Sequence, residues 1–155
     1  MAEEPMENLK LFALTEDETA KVIKEAGGGT VTWVRRDGHP TGAYVQIVVV
    51  DGQVYTTSTD DRGKNKAWRR DPRTAWVFDV PGKGGVTVIG KVVFIEDPAL
   101  KMRVFNTMAD AVNLKGPTRE KFIGHINTSG REVMRLVPEK YVTLHTGKVG
   151  VAMVS

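Results

Sequence analysis

The sequence predicts a mainly β protein: one closed or nearly closed antiparallel barrel of about six strands with a few peripheral helices. Three observations predict it. Segments rich in Val, Thr, Tyr and Trp recur at close spacing. Two Asp-Gly pairs, Asp37-Gly38 and Asp51-Gly52, separate the early segments where two-residue hairpin turns demand positive φ. The strands also follow one another with little helix between them, an order that closes naturally into a barrel.

Residues 1–14 lack periodicity and are expected to fray. Thr15-Glu16-Asp17-Glu18 then opens a helix with early acidic residues, carrying Ala20, Val22, Ile23 and Ala26 as its apolar stripe, and Gly27-Gly28-Gly29 ends it as a turn. Strands are expected over Thr30–Arg36, Thr41–Val50 and Gln53–Thr59. The basic segment that follows reads as a helix closed by Asp71-Pro72, and Thr74–Val80 resumes the strand pattern. Pro81 to Gly85 is turn chemistry, and Val86–Glu96 forms a long strand with Val86, Val88, Val92 and Phe94 on one face. Asp97-Pro98 caps a helix carrying Leu100, Val104, Phe105, Met108 and Val112, and Pro117 starts another with Phe122, Ile123 and Ile126. A last strand, Glu132–Thr146, is interrupted near Pro138 by a bulge or bend.

A chain of 155 residues reads as a single domain over 1–155 and buries enough surface to be stable without staples. It has no cysteine, which removes disulfides, thiolate metal sites and cysteine nucleophiles. The opening MAEEPMENLK is acidic, and no apolar run approaches the roughly 18 residues needed to span a bilayer, so a soluble cytoplasmic protein with no membrane partner is expected. With net charge +3 the chain is only mildly basic, which suits an anionic small ligand at least as well as nucleic acid.

Most familiar catalytic signatures are missing. His39, His125 and His145 have no paired-ligand spacing, so no metal site is expected. The glycine runs match neither a P-loop nor a dinucleotide fingerprint, and no G-x-S-x-G elbow is present. An enzyme built on this chain would leave the chemistry to a cofactor, so no catalytic side chain is assigned.

The dense feature is Ser58–Arg73, where Arg62, Lys64, Lys66, Arg69, Arg70 and Arg73 face only Asp60, Asp61 and Asp71. On a helix, Arg62, Lys66, Arg69 and Arg70 share one broad sector, whereas Lys64 falls with Ala67 and Trp68 on the side that packs inward. A solvated face accounts for the first group. An inward ammonium needs an anionic partner, and a ligand phosphate near the helix N-terminus would supply one, with Ser58 and Thr59 adding hydroxyls. Against this, Asp60 or Asp61 is expected to serve as N-cap and to oppose an anion.

At this segment the chain resembles the pyridoxamine-phosphate-oxidase-like, FMN-binding split barrels, and within them the deazaflavin-dependent oxidoreductases that use coenzyme F-420. The strand ending in Ser/Thr is followed by Arg62-x-Lys64 and then Arg70-Asp71-Pro72-Arg73. Gly38-His39-Pro40, Asp51 to Thr59 and Glu96-Asp97-Pro98 extend the match over residues 30–98. The resemblance implies a split antiparallel barrel, a homodimer with cofactor at the subunit interface, and hydride transfer to a small unsaturated substrate. It also implies that Ser58, Thr59, Arg62, Lys64 and Lys66 hold the cofactor phosphate, while the strand from Thr41 to Gln46 lines the ring. The glycine loop Gly82–Gly85 departs from relatives that place an aromatic residue there. FMN is the alternative to F-420, and a carrier that binds cofactor without turnover is the alternative to an enzyme. Nucleic-acid binding by the basic helix is disfavoured, because the cations lack interleaved aromatics beyond Trp68.

Overall fold

The computed structural model describes residues 11–149. Its elements are α1 (Glu16–Ala26), β1 (Gly28–Val34), β2 (Pro40–Gln46), β3 (Val48–Val50), β4 (Gln53–Thr59), α2 (Gly63–Arg70), β5 (Arg73–Val80), β6 (Gly84–Phe94), α3 (Pro98–Ala111), α4 (Gly116–Ile126) and β7 (Arg131–Leu144). All strand pairs are antiparallel, in the order β2-β1-β5-β6-β7-β4-β3. Seven strands are seen where about six were expected, because the segment 41–50 breaks at Ile47.

That break closes the sheet. β2 and β3 stand at opposite ends of the strand order, yet only Ile47 separates them, so their ends lie within about 7 Å of each other. The sheet must therefore curl until its two edges meet. Thr56 Oγ1 donates to the Gln46 carbonyl at 2.8 Å across the seam. Residue 47 itself is buried and donates its N–H to Gly27 O.

Local chemistry sets the boundaries. Thr15 and Glu18 form the reciprocal capping box of α1, and Asp97 accepts from Ala99 N above Pro98 at the start of α3. Gly52 and Asp51 both adopt positive φ in the β3–β4 turn. Gly28 and Gly29, expected in a turn, belong instead to β1, where backbones approach closely: a Cβ on Gly29 would lie 2.5 Å from Val77 O. The bulge near Pro138 is present. Ile89 pairs with Lys140 but Gly90 with Pro138, leaving Glu139 extra on β7, and a Cβ on Gly90 would lie 2.1 Å from Val137 O. Of the segment expected to fray, residues 1–10 lie outside the described residues, whereas Leu14 N donates to Thr143 Oγ1 at 3.0 Å.

Two apolar clusters flank the sheet. The barrel interior is built on Trp68, Trp76, Phe78, Val31, Val88 and Met134, with Val22 and Ile23 of α1 packed against it. The second lies where α3 and α4 cover Val48, Tyr55 and Val133 with Phe105, Met108 and Ile126. Trp68 anchors α2 to the barrel: its indole N–H donates to Thr32 O at 3.0 Å and its ring lies 6.2 Å from that of Trp76. Burying such a ring stabilises by several kcal/mol, about 3 or more. One helical turn before it, Lys64 shares the same face and is drawn inward with it.

Candidate anion site

Alternation along β4 turns Thr56 and Ser58 toward the barrel interior and Tyr55 toward α3 and α4. Ser58 is only 5% exposed. Beyond Thr59 the chain is fixed by Asp60 N bonding Gly130 O and Arg62 N bonding Thr59 O, and α2 begins. Neither Asp60 nor Asp61 caps the helix, contrary to expectation. Arg62 occupies the N-cap with extended backbone and no side-chain cap bond. The reason is local: Asp61 Oδ1 accepts from Thr59 Oγ1, a bond that holds the carboxyl below its usual range and keeps it off the helix end. The first-turn N–H groups of α2 thus have no side-chain acceptor, a setting that favours an anion.

Lys64 is partly buried, and its Nζ donates to Ser58 Oγ at 2.8 Å. Burial pushes its pKa below the ordinary 10.5, and the neighbouring charges of Arg62 and Arg131 push it further the same way. Arg131 is lowered in turn, first by burial and then by Arg62. Among the described residues none of these three cations pairs with a carboxylate. The other basic residues of the segment behave differently. Arg69 pairs with Glu132 and stacks 3.9 Å over the Phe94 ring, Arg70 Nη2 donates to Val34 O at 3.0 Å, and Arg73 pairs with Asp71 at 2.7 Å. Arg62, Lys64 and Arg131 are therefore a cation cluster, beside which Asp61 feels the charge of Arg62 but is held by Thr59 and ion-pairs with none of the three, and an oxyanion such as phosphate fits it.

Of the residues expected to bind, Ser58, Arg62 and Lys64 come together and Thr59 adjoins them, its hydroxyl donated to Asp61. Lys66 does not join them. Two residues of helix rotate it about 200° from Lys64, and it lines a separate hollow of about 550 Å³ with Thr41, Trp33, Arg35, Arg36 and Arg70. Gln46 lies in a cavity of about 260 Å³ with Thr57, Met108, Phe122, His125, Ile126 and Arg131. Arg131 is the residue that sequence reasoning missed. Only the pairing of Thr59 with Arg131 across β4 and β7 brings it to the site, and no local motif signals that register.

A second surface stands out on the convex side of the sheet. Tyr44, Thr30, Val77, Thr87 and Val142 form one cross-strand row, with Tyr44 73% and Val142 50% exposed. Ile89 and Leu144 extend it. Among the described residues no three His, Asp or Glu side chains gather as a metal site, and no helix is long and apolar enough to cross a membrane.

Comparison with known proteins returns a family model described as pyridoxamine 5'-phosphate oxidase, matched over residues 15–144. Similar solved structures include a conserved hypothetical protein from Mycobacterium tuberculosis, 21% identical over 90% of this chain and 89% of that one, with a TM-score of 0.79. A protein named F-420 reductase is 17% identical over 83% of this chain and 98% of its own, with a TM-score of 0.62. A heme binding protein from Mycobacterium smegmatis is 18% identical over 90% of this chain and 61% of its own, with a TM-score of 0.64. At these identities the likeness is one of fold. No curated protein matches the chain.

Proposed function

Because the chain belongs to the pyridoxamine 5'-phosphate oxidase family, we propose that it is a homodimeric oxidoreductase that holds coenzyme F-420 by its phosphate and acts on a small unsaturated substrate. One observation carries the reading: Lys64, partly buried, faces Ser58 and two arginines and no carboxylate. Ser58 and Lys64 would donate to the phosphate, with Arg62 beside them and the uncapped end of α2 adding N–H groups, while Arg131 adds positive charge and, among the described residues, keeps its terminal donors free. When bound, the deazaflavin ring supplies the hydride chemistry that the chain's own side chains do not.

A phosphate cluster serves FMN as well. F-420 is preferred because it carries further negative charge beyond its phosphate, and the hollow lined by Arg35, Arg36, Lys66 and Arg70, with Asp37 paired to Arg35 as its one acid among the described residues, opens at Gly63, next to the N-cap Arg62. The likeness to a protein named F-420 reductase supports the same choice at the level of fold. The apolar row from Tyr44 to Val142 is the surface we assign to the second copy, since an exposed face of this kind calls for a cover.

Titrating the purified protein with F-420 tests the reading through the cofactor's fluorescence. Saturable binding to one site per chain, with reduced cofactor consumed when an unsaturated substrate is added, is the expected result. Binding without turnover across a substrate panel would make the protein a carrier, and a flavin spectrum on purification would replace F-420 by FMN. No binding of either cofactor, or a heme absorption band in the purified protein, would end the proposal.

A further inference from the structure

The cavity that joins β2, β4 and β7 to helices α3 and α4 has two unlike walls. Met108, Phe122 and Ile126 make one apolar, while Gln46, Thr57 and Arg131 make the other polar, with His125 at the rim. Its volume of about 260 Å³ falls just below the roughly 300–1,000 Å³ of drug-sized sites, so it suits a small molecule.

The polar wall is only partly used from within. Gln46 Nε2 donates to Met108 O at 3.3 Å, and Thr57 Oγ1 donates to Glu132 O at 2.7 Å. Arg131 spends its Nε on Ile126 O at 3.0 Å, and among the described residues its two terminal nitrogens have no hydrogen-bond acceptor. Those nitrogens carry the paired donors that grip a carboxylate bidentately. A cation would be repelled by Arg131 and by Arg62 and Lys64 close by. A neutral hydrocarbon would cover the guanidinium without satisfying it, and an inorganic anion would leave the apolar wall bare.

We propose that this cavity binds a small planar organic carboxylate, its acid group on Arg131 and its hydrocarbon body on Phe122 and Ile126. It names a substrate class for the oxidoreductase, yet binding itself needs no cofactor. The two ideas therefore fail separately.

The test is calorimetric titration of cofactor-free protein with benzoate, crotonate and the neutral isostere benzamide. At least one carboxylate should bind once per chain, with benzamide weaker by about tenfold or more, the loss expected for a charge-assisted bond. Arg131→Gln should bring benzoate and benzamide to similar affinity. Phe122→Trp, which fills the cavity, should abolish carboxylate binding while inorganic phosphate still binds the cation cluster. Should that variant fail to fold, methyl shifts at Ile126 and Met108 when benzoate is added to the unmodified protein carry the same information. No carboxylate binding, equal affinity for benzamide, methyl groups that do not shift, or full displacement of benzoate by inorganic phosphate would each overturn the inference. Carboxylate binding by a protein that ignores F-420 and FMN would keep it and remove only the cofactor assignment.

Discussion

The Lys64 ammonium donates to the Ser58 hydroxyl at 2.8 Å, a neutral acceptor where a partly buried lysine ordinarily finds a carboxylate. Lys64→Met should then separate binding from stability. Affinity for F-420 or inorganic phosphate should fall by about 1.5–3 kcal/mol, roughly ten- to a hundredfold, if Lys64 makes a charge-assisted bond to the anion. The ligand-free protein should melt no lower, because the substitution removes a cation repelled by Arg62 and Arg131. Fluorescence titration and thermal denaturation read the two effects; a large loss of stability would mean that Lys64 is structural.

The pH dependence follows with its sign. Folding lowers the Lys64 pKa below 10.5, so in the window between the lowered value and 10.5 the unfolded chain binds more protons than the native one. Ligand-free stability from this group therefore rises with pH through that window, the opposite of an ion-paired lysine. A bound anion restores the charge, so anion affinity should fall as pH rises there, with proton uptake on binding. Calorimetry in buffers of different ionisation enthalpy checks this, and release of protons would contradict it.

Gly90→Ala should lower stability by about 3 kcal/mol, since its Cβ would meet the Val137 carbonyl oxygen at 2.1 Å in the bulge. Gly85→Ala is the control: its nearest neighbour would be Phe78 O at 3.9 Å, and the change should cost less than about 1 kcal/mol. Denaturant melts of both variants measure the difference.

Val142→Asp places a charge at the β7 end of the exposed row, beside Thr87. If a second copy covers that row, sedimentation should show a dimer for the parent protein and a monomer for the variant, with cofactor affinity reduced in parallel. A parent protein that sediments as a monomer would remove the dimer from the proposal.

Elements with local signatures were readable in advance. The capping box at Thr15 and Glu18, the Asp51-Gly52 turn, Asp97-Pro98 and the bulge at Pro138 each state their geometry within a few residues. The break at Ile47 was not readable, because Val48-Val49-Val50 continues the apolar run and only closure of the sheet demands a new strand. At the site, helical periodicity separated Lys64 from Lys66 and Arg70, which lie on the other flank of α2, but it also set Arg62 apart, whereas Arg62 is an extended N-cap residue whose charge acts on Lys64. Arg69 looked free in the sequence. Its partners, Phe94 and Glu132, come from β6 and β7 and leave no trace near it in the chain.

The pairing of Thr59 with Arg131 also sets when, during synthesis, the site can first exist. A nascent chain halted before residue 131 holds the whole basic motif but only two of the three clustered cations. The β7 strand must emerge and slot between β6 and β4 before a ligand finds its full set of charges. An anion bound there rewards a late event, so it should lengthen the lifetime of the folded protein far more than it hastens folding.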